Sequence, residues 1–144
     1  MDLNRITPRY TVSPQIAVED VPALAEAGFK LVICNRPDGE VPPELQAETI
    51  GAAVTAAGME FAVLPVTHDG LTLDLITQQA ELIENADGPV FAYCRSGTRC
   101  ATVWAMGQAG KQPADDILLA TAKAGYSLDG LRPTLAAIAE RGGA

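Results

Sequence analysis

Histidine occurs once in these 144 residues and cysteine three times. The single His68 has no ligand-spaced partner, which argues against a zinc centre, and nothing in the sequence calls for a metal or cofactor. Cys34, Cys94 and Cys100 are too few and too unevenly spaced for a disulfide scaffold, so they read as core thiols or reactive thiols. Aromatic residues make up 5% of the chain, which leaves Ala, Val, Leu and Ile to fill the core. Basic residues are scarce as well: 10 Lys and Arg stand against 18 Asp and Glu, a formal net charge of -8. That field argues against nucleic acid or an acidic membrane as partner. An anion site here has to be built against the global charge, from a few placed arginines and backbone amides. No apolar run reaches the ~20 residues of a membrane span. Residues 1–14 lack the apolar stretch of a signal peptide, so a cytoplasmic location is expected.

What is present suits a folded α/β chain. Residues are 48% hydrophobic and 19% charged, and the length suits a single catalytic domain over residues 1–144. Four β-like runs stand near Tyr10 to Val12, Leu31 to Cys34, Phe61 to Val66 and Val90 to Cys94. The last three are continuously apolar, the pattern of strands buried on both faces of a parallel sheet. Helical spacing is read over Val18 to Ala27, Pro43 to Ala57, Leu73 to Ala86 with Thr72 as N-cap, Arg99 to Ala109, Pro113 to Ala124 and Leu128 to Arg141. Strands alternating with helices predict βαβ crossovers, hence a mainly parallel sheet covered on both faces in three αβα layers.

One segment concentrates chemistry. The apolar run from Val90 ends at Cys94, a short turn with Gly97 follows, and a helix starts near Arg99. This places Cys94 at the C-terminal edge of a parallel sheet, where α/β folds bind ligands. Loop amides and the helix N-terminus then aim at the sulfur and favour thiolate over thiol. A free Cys pKa near 8.5 falls to about 3.5–7.5 in such settings. Arg95 and Arg99 offer planar donors to an anion, and Ser96, Gly97 and Thr98 complete the loop as anion-binding positions. Arg95 reads equally well as an ordinary surface arginine.

Cys94-Arg95-Ser96-Gly97-Thr98-Arg99 resembles the active loop of single-domain rhodaneses, the persulfide-carrying sulfurtransferases. On Ser13-Pro14-Gln15, Asn35-Arg36-Pro37-Asp38-Gly39-Glu40, Leu64-Pro65-Val66 and Tyr93 to Arg99, the chain from about Ile6 to Gln108 resembles a further family. This is the β-lactamase-hydrolase-like phosphatase-like domain family (DUF442), also described as sulfur transferases. That resemblance implies a fold akin to dual-specificity protein tyrosine phosphatases, with a four-stranded sheet in the order 1-4-2-3. It sets the second and fourth strands side by side, both ending in cysteine. Cys34 is then a possible resolving thiol within disulfide reach of Cys94, or else a packed core residue. Arg36 could face the pocket, Gln15 could reach its rim, and Cys100 is expected to face the core.

The sequence leaves two chemistries in competition. Protein tyrosine phosphatases place five residues between Cys and Arg, and this loop has four. The tighter ring offers one fewer amide to a phosphate dianion, while a persulfide needs less room. Tyr93 stands where those enzymes carry His, and Cys100 where they carry Ser or Thr. The expected activity is therefore sulfur transfer: Cys94 thiolate takes the outer sulfur of a small donor, Arg99 and the loop hold the persulfide, and a thiol such as glutathione accepts it. The alternative is a phosphatase with Cys94 as nucleophile, Arg99 as phosphate ligand and Asp69 as general acid. Asp69-Gly70 also reads as a plain turn. A non-catalytic persulfide-sensing module is a further alternative. Fusions among the relatives imply a persulfide-oxidising metalloenzyme as possible partner.

Overall fold

The apolar tetrads of the sequence form the middle of a sheet. In the computed structural model, which describes residues 1–67 and 71–143, β1 is Asn4–Thr7, β2 Tyr10–Ser13, β3 Leu31–Cys34, β4 Glu60–Val63 and β5 Val90–Tyr93. Every residue of β2, β3 and β5 is buried, and β4 at the edge is half open. The helices are α1 Val21–Glu26, α2 Ala47–Ala56, α3 Leu73–Asn85, α4 Thr98–Gln108, α5 Ala114–Lys123 and α6 Arg132–Glu140. Among the described residues no helix is long and apolar enough to cross a membrane.

The expectation of four strands in the order 1-4-2-3 is corrected. The sheet has five, in the order β1-β2-β5-β3-β4, with β1 antiparallel to β2 and the other pairings parallel. The added strand, Asn-Arg-Ile-Thr, carries one apolar residue and gains its place from hairpin pairing rather than burial. The helix boundaries move too. Pro22 and Pro133 stand in the first turns of α1 and α6, where a missing N–H costs nothing, and each helix is preceded by a 3-10 turn. The run expected as a strand to Val66 leaves the ladder at Val63, since Pro65 cannot donate. It still follows β3 through Leu64 N–H to Cys34 O and Val66 N–H to Asn35 O. Thr72 caps α3 as expected, its Oγ1 accepting from Leu75 N–H at 3.2 Å.

Period-two alternation sorts the sheet into two cores. Leu31, Ile33, Val90, Ala92 and then Cys94 face α4, α5 and α6, against Cys100, Trp104, Ile117, Leu135 and Ile138. Val32, Cys34, Phe91 and Tyr93 face α1 and α2, against Val21, Leu24, Ile50 and Val54. The register Ser13↔Tyr93↔Cys34 brings three strand ends level, with the chain after Tyr93 at the centre. A buried polar chain ties this edge to α3. Gln79, fully buried, exchanges hydrogen bonds with Asn35 at 2.7 and 3.0 Å and donates to Tyr10 Oη at 2.9 Å. Asn35 also donates to Leu64 O.

Candidate active site

Where β5 ends, Cys94 N–H still bonds Ser13 O, and the chain then turns through Arg95, Ser96 and Gly97 into α4. The turn needs a left-handed residue, and Gly97 supplies it at φ +96°. A Cβ at Gly97 would also overlap the Tyr126 hydroxyl, so glycine is required twice over. Tyr126 braces the loop from behind: its hydroxyl donates to Ser96 O and accepts from Asn4 Nδ2, both at 2.9 Å. Gln15 N–H reaches Arg95 O at 3.4 Å. Three separate segments therefore hold the loop in one curve.

Inside that curve lies the Cys94 sulfur, with the residue 1% exposed. Gly97 N–H points at it from 3.1 Å. The thiol pKa is lowered to about 5, first by the Cys100 thiol donating to it. The backbone N–H groups of Cys100, Gly97 and Ser96 add to this, and together they outweigh burial. A negative sulfur is thus the resting form at neutral pH. Cys100 itself is fully buried and its thiol is pushed up, first by burial and then by the neighbouring Cys94.

Arg99, one residue into α4, extends over the loop mouth. Its two terminal nitrogens grip the Glu40 carboxylate at 2.9 and 2.6 Å, and Nη1 also donates to Val66 O at 2.9 Å. Glu40 takes the end-on edge of the guanidinium through both terminal nitrogens. Arg36 Nε bonds the same carboxylate at 3.2 Å, and its Nη1 donates to Gln15 Oε1 at 3.3 Å. The arginines, Arg99 first, hold the Glu40 carboxyl below its ordinary value. Glu40 in turn holds the Arg99 guanidinium charged. Beside these groups opens a cavity of about 480 Å³ lined by Arg95, Ser96, Thr98, Arg99 and Thr102, with Glu40, Val66, Thr67 and Leu71.

The structure therefore brings together Cys94, Arg95, Ser96, Gly97, Thr98 and Arg99, as the spacing predicts. Arg36 does not line the cavity; it acts on Arg99 through Glu40. The assignment of Cys34 as resolving thiol is corrected: Cys34 pairs with Tyr93, not with Cys94, and its side chain lies on the opposite face of the sheet. Its sulfur donates to Arg36 O at 3.3 Å, and burial pushes its thiol pKa up. Tyr93 points away from the site with it. Asp69 and His68 lie outside the described residues. Among the described residues no group of three His, Cys, Asp or Glu is placed to hold a metal. Glu40 and Tyr126 were not anticipated: each meets the loop across a long sequence gap, with no local signal beyond the Arg36–Glu40 spacing.

Residues 2–111 match the family described as beta-lactamase hydrolase-like protein, phosphatase-like domain. A beta-lactamase hydrolase-like protein of Agrobacterium fabrum is 38% identical over 105 residues, 73% of this chain and 24% of that protein. The chain spans about a quarter of the length of the curated relatives it matches. The crystal structure of a candidate phosphatase from Neisseria meningitidis aligns at TM-score 0.84 and 32% identity, covering 95% of this chain and 98% of that one. Tk-PTP in its active form shares the fold at TM-score 0.70 and 17% identity, with 96% of each chain covered.

Proposed function

Since the chain belongs to the family of beta-lactamase hydrolase-like phosphatase-like domains, we propose that it is a cysteine-dependent phosphatase acting on phosphate esters. The observation that carries this reading is the convergence of the Ser96, Gly97 and Cys100 N–H groups on a Cys94 sulfur held as thiolate, with Arg99 steered over it by Glu40. Cys94 attacks phosphorus as the ester P–O bond breaks, and the departing oxygen takes a proton. Asp69, which follows β4 in sequence, is the acid proposed for that proton. Loop amides and the Arg99 guanidinium bind the phosphoryl oxygens through the transition state. Water then hydrolyses the cysteinyl phosphate and restores the thiolate.

The comparisons reverse the order expected from loop length. The matching family model and the solved neighbours named above are described as phosphatases or phosphatase-like, which favours phosphoryl over sulfur transfer. Sulfur transfer stays as the second reading on one observation: the Cys94 to Arg99 loop is a residue short of the five-residue cradle. In that reading a thiol such as glutathione accepts the sulfur and a persulfide-oxidising metalloenzyme consumes the product.

Paired assays on one preparation decide between them: turnover of a small aryl phosphate, and transfer from thiosulfate or glutathione persulfide to cyanide or thiol. Aryl phosphate turnover is expected, abolished in Cys94→Ser and lowered about 10²-fold or more in Asp69→Asn, the usual worth of a general acid. Sulfur transfer with no phosphate turnover would overturn the proposal.

A further inference from the structure

The catalytic cavity does not end at the nucleophile loop. Leu71 forms part of its wall and also part of the wall of a second cavity, an open groove of about 430 Å³. To this groove α3 contributes Leu73 and Ile76, α4 Met106, and α6 Pro133, Ala137 and Ile138. Thr134 and Arg141 are the polar residues of its described lining, and the rest is apolar. Helix α4 joins the two spaces. Thr98 and Thr102 line the catalytic cavity and Met106 lines the groove, and residues four apart are neighbours on one helix face. Thr102 Oγ1 donates to Thr98 O at 2.8 Å, which ties its hydroxyl down to the helix. With a rise of about 1.5 Å per residue, the stripe runs about 12 Å away from the anion-binding loop. Arg99 and hydroxyls stand at its start, and a thioether with aliphatic neighbours stands at its end. Leu73, 41% exposed, and the half-buried Met106 leave apolar surface open to solvent there.

We infer that the groove binds the apolar portion of the phosphate ester, and that the preferred substrate class is a monomeric aliphatic phosphate. This rests on the phosphatase reading of the site and supplies the part of the substrate that reading leaves unnamed. The phosphate head takes the loop amides and Arg99. The hydrocarbon body follows Thr98, Thr102 and Met106 and ends against α3 and α6. Continuity with the catalytic cavity through Leu71 makes the substrate's own body the occupant rather than a partner chain. Each space lies within the roughly 300–1,000 Å³ usual for small-molecule sites, which are mostly apolar with a few placed polar groups. None of the described residues lining either space is aromatic. A flexible aliphatic chain therefore fits better than a planar ring, whose best contacts are with other rings. The formal net charge of -8 opposes approach to an acidic lipid surface, so the ester arrives free in solution.

Calorimetric titration with straight-chain alkyl phosphonates, propyl to octyl and below micelle-forming concentration, tests this without turnover. Affinity is expected to rise about two- to fourfold for each added methylene, the range between half and full burial of a CH₂. Leu73→Ser and Ala137→Gln change exposed positions on two different helices. Each should lower the octyl-to-propyl affinity ratio about fourfold or more, as the loss of one or two buried methylenes implies. Hydrolysis of the matching alkyl phosphates, read as kcat/KM, should show the same rise in the wild type. A flat phosphonate series, or a rise that both variants leave intact, would overturn the proposal, and turnover of a small aryl phosphate beside it would leave the phosphatase reading standing. Chain-length-dependent phosphonate binding that the variants remove, with no phosphate ester hydrolysed, would support the groove and sink the phosphatase reading instead.

Discussion

Cys94 is an acid where an ordinary thiol is not. With its pKa lowered to about 5, its alkylation by iodoacetamide should rise through about pH 5 and stay level through neutrality. A rate still climbing between pH 7 and 9 would contradict the lowered value. Removing the Cys100 donor in Cys100→Ala should move that midpoint upward. The sign for stability follows the same direction. The folded state holds the thiolate at lower pH than the unfolded chain, so this group's contribution is present above the unfolded thiol value and is lost as pH falls through about 5. Glu40 works one step out, as a positioning residue for Arg99. Glu40→Gln keeps the shape and removes the charge that orients the guanidinium. About a tenfold loss in kcat/KM on an aryl phosphate, equivalent to about 1.4 kcal/mol, is expected, with the Cys94 alkylation midpoint little changed. A variant with unaltered kcat/KM would show that Arg99 needs no such guide.

At the scale of elements, the turn between β5 and α4 is held by parts far away in sequence. Tyr126 follows α5 and donates to Ser96 O, and Asn4 on β1 donates in turn to the Tyr126 hydroxyl. Tyr126→Phe should lower stability by about 1–2 kcal/mol in urea titration, as expected for one lost buried hydrogen-bond partner. Gly97→Ala should cost more, about 2 kcal/mol or beyond, because a left-handed φ and a steric overlap act together. A Gly97→Ala protein as stable and active as the wild type would refute the bracing. The nucleophile loop was legible in the sequence because strand, turn and helix start are contiguous. β1 was not, since one isoleucine among polar residues gives no β pattern. The side on which Cys34 points was not legible either. It depends on register, and pairing Cys34 with Tyr93 rather than Cys94 sends the two sulfurs to opposite faces.

For the molecule as a whole, the alternation of buried strands and amphipathic helices carried the fold class. The contacts that finish the site depend on tertiary closure. Arg99 finds Glu40 at a separation of 59 residues. The global charge is a burden the site has to work against. With a formal net charge of -8, self-repulsion opposes the folded state, and salt screens it over about 10 Å at 0.1 M. The melting temperature should therefore rise as sodium chloride is raised from about 0.01 M to about 0.15 M. A fall would mean that the Arg99–Glu40–Arg36 cluster and other ion pairs outweigh the net repulsion.

The central claim is that Cys94 carries the transferred phosphoryl group. The most direct measurement is peptide mass spectrometry after a rapid denaturing quench during turnover of an aryl phosphate. Phosphate on the peptide bearing Cys94, present in Asp69→Asn as well as the wild type and absent from Cys94→Ser, is the result predicted. An unmodified Cys94 under those conditions, with added sulfur on the same residue when a persulfide donor is supplied instead, would contradict it.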